Sequence, residues 1–203
     1  MPKNELRIGL IGLGQVCAAV HHPGLSRIPG VKIVGLCEVD EILLARRRKQ
    51  WGIKAGCTDI DEFLKTVKPD AVSVSVPNVY HHDLVLKVIE AGCHVLCEKP
   101  LGMDVPETVD MYEAARSAGV RHMTAFTYRF VPGMQYLKSL VGKGVLGEIR
   151  HARFQRLQDW GEASIGWRQY KHMAATGELG DMGIHRLDFA ENLLGPIKAV
   201  TAS

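Results

Sequence analysis

The stretch that decides the fold lies near the start of the chain and reads Leu6-Arg7-Ile8-Gly9-Leu10-Ile11-Gly12-Leu13-Gly14-Gln15-Val16-Cys17. It begins as an apolar run, typical of a buried β-strand, and then breaks into closely spaced glycines. Gly12 permits a tight turn from strand to helix, and Gly14 lets the backbone approach a diphosphate at the helix N-terminus. The segment Ile11 to Val16 is therefore predicted to bind a dinucleotide cofactor.

The glycine pattern alone is weak evidence, because G-x-G-x-x-G also occurs in ordinary turns and Cys17 holds its third position here. Two features favour the dinucleotide interpretation. The motif lies where the first β–α unit of a dinucleotide fold belongs. A second predicted strand, Val31 to Cys37, is followed by Glu38, at the distance where a carboxylate binds ribose hydroxyls. The alternative is a tight strand-to-helix turn without a ligand.

The composition is that of a globular protein, with 46% hydrophobic and 23% charged residues among 203. A net charge of +3 is too small to indicate nucleic acid, and we interpret the run Arg46-Arg47-Arg48-Lys49 as a solvated last turn of a helix. No stretch approaches the ~20 apolar residues of a membrane span, and the N-terminus lacks a signal-peptide pattern. Five cysteines, an odd number, predict reduced core thiols. We expect a cytoplasmic protein without a membrane or nucleic-acid partner.

Apolar runs and helical stretches alternate regularly over the first part of the chain. We predict strands near 6–12, 31–37, 54–57, 70–76, 93–97 and 120–125, and helices near 15–27, 40–50, 59–66, 80–91 and 104–118. Such alternation gives a parallel sheet with helices on both faces. The fold class is therefore predicted as α/β, with a doubly wound Rossmann sheet that forms a dinucleotide-binding domain over 1–126.

The rhythm changes after Phe126. We predict a helix near 132–140, a long strand over 147–157, a polar loop, a helix near 180–194 and the beginning of a strand over 197–200. A last strand without a neighbouring partner would leave an unpaired edge. We therefore interpret 127–203 as part of a second domain of the α+β class, and we expect substrate-pocket residues in the loop 158–175.

The first candidate for chemistry is Glu98-Lys99-Pro100, which directly follows the predicted strand Cys93 to Cys97. Ligands of open α/β sheets bind beyond the carboxyl ends of the strands, so Lys99 is aimed at the cofactor crevice. A lysine between a carboxylate and a proline is well placed to stabilise an alkoxide as hydride leaves. The alternative is a surface turn that happens to contain a lysine.

The second candidate is the stretch Gly177 to Asp188. If it is helical, Asp181, His185 and Asp188 lie at i, i+4 and i+7 on one face. Histidine suits the base that oxidises a secondary alcohol, and a carboxylate one turn away can orient it. Two alternatives are a buried core histidine with a carboxylate partner and a metal site. The metal alternative lacks further ligands, because the other histidines are scattered through the chain.

Together these motifs resemble the glucose–fructose oxidoreductase / inositol dehydrogenase family (Gfo/Idh/MocA). The resemblance covers essentially the whole chain and rests on Ile11-Gly12-Leu13-Gly14, Val76-Pro77-Asn78 with His81, Gly92-Cys93-His94-Val95-Leu96-Cys97-Glu98-Lys99-Pro100, Tyr128-Arg129-Phe130 with Pro132, Gly166-Trp167-Arg168, and Gly180-Asp181-Met182-Gly183-Ile184-His185 with Asp188. The Glu-Lys-Pro and Asp-x-Gly-x-His pieces are the specific ones, and their order and spacing match.

The resemblance implies a Rossmann domain followed by a domain with a mostly antiparallel sheet, which closes the substrate pocket and commonly forms the interface of a homo-oligomer. It implies a nicotinamide cofactor and reversible oxidation of a sugar, polyol or related compound. The implied catalytic residues are Lys99, the acid/base His185 and its partner Asp181. The implied cofactor residues are Ile11 to Val16, Glu38, Val76, Pro77, Asn78, His81, Glu98, Trp167 and Arg168. The implied substrate residues are Lys99, Tyr128, Arg129, Asp181 and His185.

Two departures from the family pattern are Cys17 and the length, since family members extend well beyond 203 residues. We therefore interpret the sequence as a partial chain of a normal enzyme. Glu38 favours NAD over NADP, because its carboxylate would repel a 2′-phosphate. Two alternative functions stay open: a dinucleotide-binding sensor or fragment without turnover, and a glycoside hydrolase of the same family that uses NAD transiently.

Overall fold

The computed structural model describes residues 5–157 and 166–202. The chain forms two compact units, Met1–Ala125 and Phe126–Ser203. Residues 158–165, the first part of the loop in which pocket residues are expected, lie outside the described residues.

The first unit contains six strands, which are β1 (Leu6–Ile11), β2 (Val31–Cys37), β3 (Gly56–Cys57), β4 (Ala71–Val74), β5 (His94–Cys97) and β6 (His122–Thr124). They form one parallel sheet in the order β3-β2-β1-β4-β5-β6. From β1 the chain adds β2 and β3 on one side of the sheet and then crosses to add β4, β5 and β6 on the other side. The topological switch point, where such sheets bind ligands, therefore lies between β1 and β4. The predicted Rossmann sheet is confirmed.

The register of the sheet aligns the carboxyl ends of its central strands. Ile11 pairs with Cys37 on one side and with Val74 on the other, and Val74 pairs in turn with Cys97. The residues that directly follow these strands, at positions 12, 38, 75 and 98, therefore stand at one edge of the sheet. This edge carries the first unit's candidate site residues.

The helices of the first unit alternate with the strands. A π-helical turn, Cys17–His21, leads into α1 (His22–Leu25), and the others are α2 (Glu41–Trp51), α3 (Ile60–Val67), α4 (His81–Glu90) and α5 (Val105–Ala118). Three of them begin at an aspartate whose carboxylate accepts hydrogen bonds from backbone N–H groups of the first turn. These N-terminal caps are Asp40, Asp59 and Asp104.

Both faces of the sheet are buried, as expected for parallel strands covered by helices. Phe63 of α3 and Val88 of α4 pack against Val72 and Val74 on one side, and all four are essentially inaccessible. A second apolar cluster holds the glycine turn and α2 together, and its buried members are Ile8, Leu10, Leu13, Cys17, Leu36 and Leu44. Burial of this area is the main stabilising contribution to the first unit.

The second unit is helical in its described part. It contains α6 (Pro132–Gly142), α7 (Lys171–Ala174) and α8 (Ile184–Leu194), and α8 is preceded by a π-helical turn, Leu179–Gly183. Short 3₁₀ turns lie at Thr127–Phe130 and Trp167–Gln169. The predicted helices near 132–140 and 180–194 are thus present.

The strands predicted over 147–157 and 197–200 are wrong, because neither range has regular secondary structure. A strand forms by pairing with another strand, and no strand lies within the described residues of the second unit. The β-branched and aromatic residues that suggested these strands record only a local preference for extended backbone.

Residues 5–157 and 166–202 contain no helix of the length and apolar character that crossing a membrane requires. They also contain no group of three or more His, Cys, Asp and Glu side chains placed to hold a metal ion.

One surface histidine links two helices of the first unit and makes its stability depend on pH. His82 on α4 has Nδ1 3.0 Å from Asp83 and Nε2 2.8 Å from Asp110 of α5. Hydrogen bonds to these carboxylates raise the pKa of His82. A raised pKa in the folded state stabilises the fold fully below the unfolded value of 6.5, and this stability is lost as the pH rises through the folded pKa.

We expect His82→Gln to lower the free energy of unfolding by about 0.5 kcal/mol near pH 5.5, with no difference from the unsubstituted chain near pH 9. Urea unfolding at the two pH values measures this. Asp110→Asn changes the other partner of the contact between the two helices, and it should reduce the same pH dependence. An equal loss at both pH values would contradict the assignment.

Candidate functional site

The two glycines of the first turn have different surroundings. Gly12 has φ +78°, and a Cβ at this position would lie 2.5 Å from the carbonyl oxygen of Ser75. Only glycine meets both demands without strain. A Cβ at Gly14 would have no atom within 4 Å, so open space lies in front of the backbone there. Gly12 is thus required by packing, whereas Gly14 leaves room for a ligand.

Glu38 lies directly beside this turn. Its Oε2 accepts a hydrogen bond from the backbone N–H of Leu13 at 2.8 Å, and its Oε1 accepts one from Asp40 at 3.2 Å. Two backbone donors therefore hold the carboxylate in place. This arrangement is the one that a ligand of ribose hydroxyls requires.

Arg47 is a site residue that the sequence analysis missed. Its Nε donates a hydrogen bond to the carbonyl oxygen of Leu13 at 3.2 Å, and its guanidinium lies 5.2 Å from the ring centroid of Trp51. The interpretation of the run 46–49 as a solvated helix turn is therefore wrong for Arg47. A signal was available, since Leu43 and Arg47 lie one helical turn apart and share a face.

A surface groove begins at the glycine turn and runs between the first helix and α2. Its lining residues are Gly14, Gln15, Ala18, Ala19, Leu43, Arg46 and Arg47. Small side chains form one wall, and two guanidinium groups contribute positive charge. Open backbone, a carboxylate after the second strand and nearby cations together fit a dinucleotide with its diphosphate.

The loop after β4 supplies a second part of the same edge. Val76 and Pro77 lead into a short 3₁₀ helix, Asn78–Tyr80. The Asn78 side chain is 2% exposed, and its Oδ1 has no hydrogen-bond partner among the described residues. A buried amide oxygen without a partner is costly, and a ligand N–H would satisfy it.

His81 connects this loop to the Glu-Lys-Pro turn. Its Nδ1 lies 2.8 Å from the carbonyl oxygen of Pro100, and its Nε2 lies 3.0 Å from that of Val76. Burial lowers the pKa of His81, and the hydrogen bonds to the two carbonyl groups partly counter this effect. The buried ring therefore acts as a brace between two loops of the candidate site.

The Glu-Lys-Pro turn follows β5, as predicted, and the Lys99–Pro100 peptide bond is cis. Glu98 receives hydrogen bonds on both carboxylate oxygens, from Nε2 of His21 at 2.9 Å and from the backbone N–H of Lys99 at 3.2 Å. Burial raises the pKa of Glu98, but these hydrogen bonds and the nearby charges outweigh it, so the pKa lies below its ordinary value.

The sequence analysis also missed His21 and its second partner. Nδ1 of His21 lies 2.8 Å from the hydroxyl of Ser73 in β4, and both residues are buried. The signal that could have found His21 is its spacing from Cys17, because i and i+4 place a histidine on the apolar face of the predicted first helix.

In the second unit, His185 lies in the first turn of α8 within an aromatic cluster. It is 5% exposed, and its ring meets Tyr128 and Phe126 edge-on at centroid distances of 4.8 and 6.1 Å. Tyr128 also packs edge-on against Phe189 at 5.5 Å. The aromatic rings restrict the orientation of the imidazole, which a general base requires.

The two aspartates flanking His185 each form an ion pair with an arginine. Asp181 lies 3.2 Å from Nε of Arg168, and the buried Asp188 accepts a hydrogen bond from Nε of Arg129 at 2.7 Å. Asp181 belongs to the π-helical turn, so the simple i, i+4, i+7 spacing predicted for one α-helical face does not hold. Sequence reasoning did not foresee either pairing.

Trp167 and Arg168 lie together on one 3₁₀ turn, and the Arg168 guanidinium lies 4.5 Å from the indole centroid. The structure thus brings the predicted residues together in two groups. The glycine turn, Glu38, the loop after β4 and the Glu-Lys-Pro turn share one sheet edge of the first unit. The residues at 128, 129, 167, 168, 181 and 185 belong to the second unit.

A parallel sheet of this order with a glycine turn and an acidic residue after β2 defines a dinucleotide-binding Rossmann protein. Residues 6–126 match the family model described as "Oxidoreductase family, NAD-binding Rossmann fold", and residues 134–203 match that of the GFO/IDH/MocA C-terminal domain. The chain belongs to the Gfo/Idh/MocA family of oxidoreductases. The resemblance stated from the motifs is confirmed.

Among its relatives, D-glucoside 3-dehydrogenase of Escherichia coli is 35% identical over an alignment of 204 positions, which covers 100% of this chain and 58% of the relative. An oxidoreductase domain protein from Kribbella flavida has a similar structure, with a TM-score of 0.87, 35% identity and coverage of 95% of this chain and 54% of that one. Levoglucosan dehydrogenase in complex with NADH and levoglucosan has a TM-score of 0.81 and 28% identity, with coverage of 94% and 54%. The chain spans about half the length of these relatives.

The different surroundings of the two glycines lead to a matched test. We expect Gly14→Ala to leave the melting temperature unchanged and to weaken NADH binding about tenfold, because the added methyl group occupies the space meant for the diphosphate. Gly12→Ala should instead lower the stability by about 1–3 kcal/mol, because it adds strain at a positive φ. Fluorescence titration with NADH and thermal unfolding measure the two effects. Gly24→Ala, with open space around it and no positive φ, is the control that should change neither.

Proposed function

We propose that this chain carries the cofactor domain and the acid–base residues of an NAD-dependent dehydrogenase that oxidises a secondary hydroxyl of a sugar, polyol or related compound. The observation that carries the proposal is the glycine turn, where open space at Gly14 stands beside a carboxylate, Glu38, that is hydrogen-bonded to Leu13. The bound nicotinamide cofactor supplies the hydride acceptor. The chain's own residues bind the cofactor, orient the substrate and take up the proton.

The cofactor end of the site is assigned to the edge of the parallel sheet. The backbone from Ile11 to Val16 would hold the diphosphate, and Glu38 the adenosine ribose. Val76, Pro77, Asn78, His81 and Glu98 would line the nicotinamide side, where the buried Oδ1 of Asn78 can accept a hydrogen bond from the carboxamide. Trp167 and Arg168 are proposed as cofactor contacts from the second unit.

Lys99 is the residue proposed to stabilise the developing alkoxide. It follows β5 at the carboxyl edge of the sheet, where ligands bind. Its ammonium group can donate hydrogen bonds to the substrate oxygen. Stabilising a charge that develops in the transition state is among the largest contributions that a side chain makes to catalysis.

His185 is the proposed general base, which takes the hydroxyl proton as hydride leaves the adjacent carbon. The edge-on contacts of Tyr128 and Phe126 support this role, because they hold the imidazole in one orientation. Asp181, which is ion-paired with Arg168, would orient the base or bind a substrate hydroxyl. Tyr128 and Arg129 are proposed substrate contacts.

The substrate class follows from the relatives, whose names specify a glucoside, levoglucosan and inositol as the compounds they oxidise. We extend this class to the present protein. A homo-oligomer formed through the sheet of a longer second domain is part of the same proposal. The five free cysteines support a reducing compartment, and we propose the cytoplasm.

The catalytic assignment is tested by separating turnover from cofactor binding. In the protein that carries this chain, we expect Lys99→Met and His185→Asn each to lower turnover of a sugar or polyol at least about a hundredfold, while the Kd for NADH stays within about threefold. Lys87→Met removes a lysine that pairs with Asp61 on the surface and serves as the control. Steady-state rates and fluorescence titration give the two readouts.

Other outcomes of the same assay correspond to other functions. If the protein binds NADH but turns over no sugar or polyol, its function would be that of a dinucleotide sensor and not that of an enzyme. Glycoside cleavage without net reduction of added NAD would indicate a hydrolase that oxidises its substrate only transiently. Unchanged turnover in both variants would contradict the roles of Lys99 and His185.

Cofactor choice gives a separate test of Glu38. We expect the protein to bind NADH more tightly than NADPH, because the carboxylate repels a 2′-phosphate. Glu38→Ser should shift the ratio of the two dissociation constants toward NADPH by about tenfold, because Arg46 and Arg47 then lie in the groove without an opposing carboxylate. Adding Arg47→Met should remove the gain. A ratio that stays constant through this series would contradict the assignment.

A further inference from the structure

Three side chains from three separate elements form a hydrogen-bonded chain inside the first unit. Ser73 lies in β4, His21 at the end of the π-helical turn Cys17–His21, and Glu98 directly after β5. The Ser73 hydroxyl is 2.8 Å from Nδ1 of His21, and Nε2 of His21 is 2.9 Å from Oε1 of Glu98. The other oxygen of Glu98 accepts the backbone N–H of Lys99. This series of hydrogen bonds therefore leads from the centre of the sheet to the proposed catalytic lysine.

The local backbone explains how His21 reaches this position. The segment Cys17–His21 is π-helical, and the backbone N–H of His22 bonds to the carbonyl oxygen of Cys17, five residues earlier. A π-helical turn accommodates one residue more than an α-helical turn, and such turns concentrate at functional sites. This turn gives His21 contact with both β4 and the turn after β5.

The order serine, histidine, carboxylate is also that of hydrolase triads. Burial argues against such a role, because Ser73 is 2% exposed and His21 is 5% exposed. A nucleophile must meet its substrate, and the Ser73 hydroxyl lies in an inner strand of the sheet. The three residues therefore act on one another rather than on a substrate.

The donors and acceptors of these three side chains can match. With a proton on Nε2 of His21, that N–H donates a hydrogen bond to Glu98, and Nδ1 accepts one from the Ser73 hydroxyl. Glu98 then keeps its negative charge although it is largely buried, because donors occupy both oxygens. Removing one partner would leave a buried charge partly unsatisfied, which is costly.

Few other titratable groups act on Glu98. The Lys99 ammonium stabilises its charge, and the buried His81 and the thiol of Cys97 in β5 lie within range of its field. A change in the ionisation of Glu98 would therefore act directly on Lys99, which follows it in the chain.

We propose that His21 is a positioning residue, which holds the Glu98 carboxylate in one orientation beside Lys99 and is itself oriented by Ser73. Where this concerns turnover, it rests on the proposed dehydrogenase function. The role of His21 in orienting Glu98 rests on the hydrogen bonds alone. His21 is itself buried, and its effect passes through Glu98.

The test uses His21→Leu, His21→Gln and Ser73→Ala. Leucine removes both hydrogen bonds, whereas the amide of glutamine can still donate to Glu98. His94→Gln is the matched control, because His94 lies at the opposite end of β5 and accepts a hydrogen bond from the backbone N–H of Arg121. Two NMR measurements report on the three hydrogen-bonded side chains and do not depend on enzyme activity. They are a pH titration of the ¹³C-labelled Glu98 carboxyl carbon and the ¹⁵N spectrum of the His21 ring, which shows its tautomer.

We expect the Nε2–H tautomer in the unsubstituted protein and a mixture of tautomers in Ser73→Ala. Glu98 should titrate at higher pH in His21→Leu, and His21→Gln should largely restore the original titration. The turnover number should fall about tenfold in His21→Leu, while KM changes little. The acidic limb of the pH profile of turnover should shift to higher pH, as the Glu98 titration does. His94→Gln should behave like the unsubstituted protein.

The proposal would be overturned by an Nδ1–H tautomer in the unsubstituted protein, or by a Glu98 titration that is the same in every variant. The tautomer is read without any substitution, so a variant that fails to fold does not prevent a decision. If the protein turns over no sugar or polyol, the dehydrogenase proposal fails, and the two NMR measurements still decide the role of His21.

Discussion

The first unit depends on how closely the glycine turn approaches the two strands beside β1. The backbone N–H of Gly12 donates to the carbonyl oxygen of Cys37 at 2.9 Å, and the Ser75 hydroxyl donates to the carbonyl oxygen of Gly12 at 2.9 Å. A side chain at position 12 would collide with Ser75, so the turn can close in this way only around glycine. The same closure aligns the ends of three strands and thereby sets the positions of Glu38 and the loop that contains Asn78.

Much of the first unit could be predicted from the sequence because its signals are local. Parallel strands buried on both faces appear as apolar runs, and aspartates such as Asp40 and Asp104 mark where helices begin. The second unit shows the limit of this approach. Ile149 and Phe154 favour extended backbone, but a strand also needs a partner, and no window of sequence contains that information.

The candidate site divides in the same way. The positions of Glu38 and Lys99 could be predicted because they lie one and two residues after a strand, and strand ends can be found in the sequence. Ser73 and His21 are 52 positions apart, and His21 is 77 positions from Glu98, so only the folded chain brings them together. The π-helical turns add a further difficulty, since one extra residue changes which side chains share a face. Asp181 lies in such a turn and pairs with an arginine that helical spacing did not indicate.

The hydrogen bond from Leu13 to Glu38 has a consequence for the kinetics of ligand binding. It joins two groups of the protein itself and so restrains the turn that a dinucleotide would meet. A preorganised backbone loses little conformational entropy on association, and entropy of this kind is a main cost of binding at flexible loops. Association should then be governed by diffusional encounter rather than by a slow rearrangement of the turn.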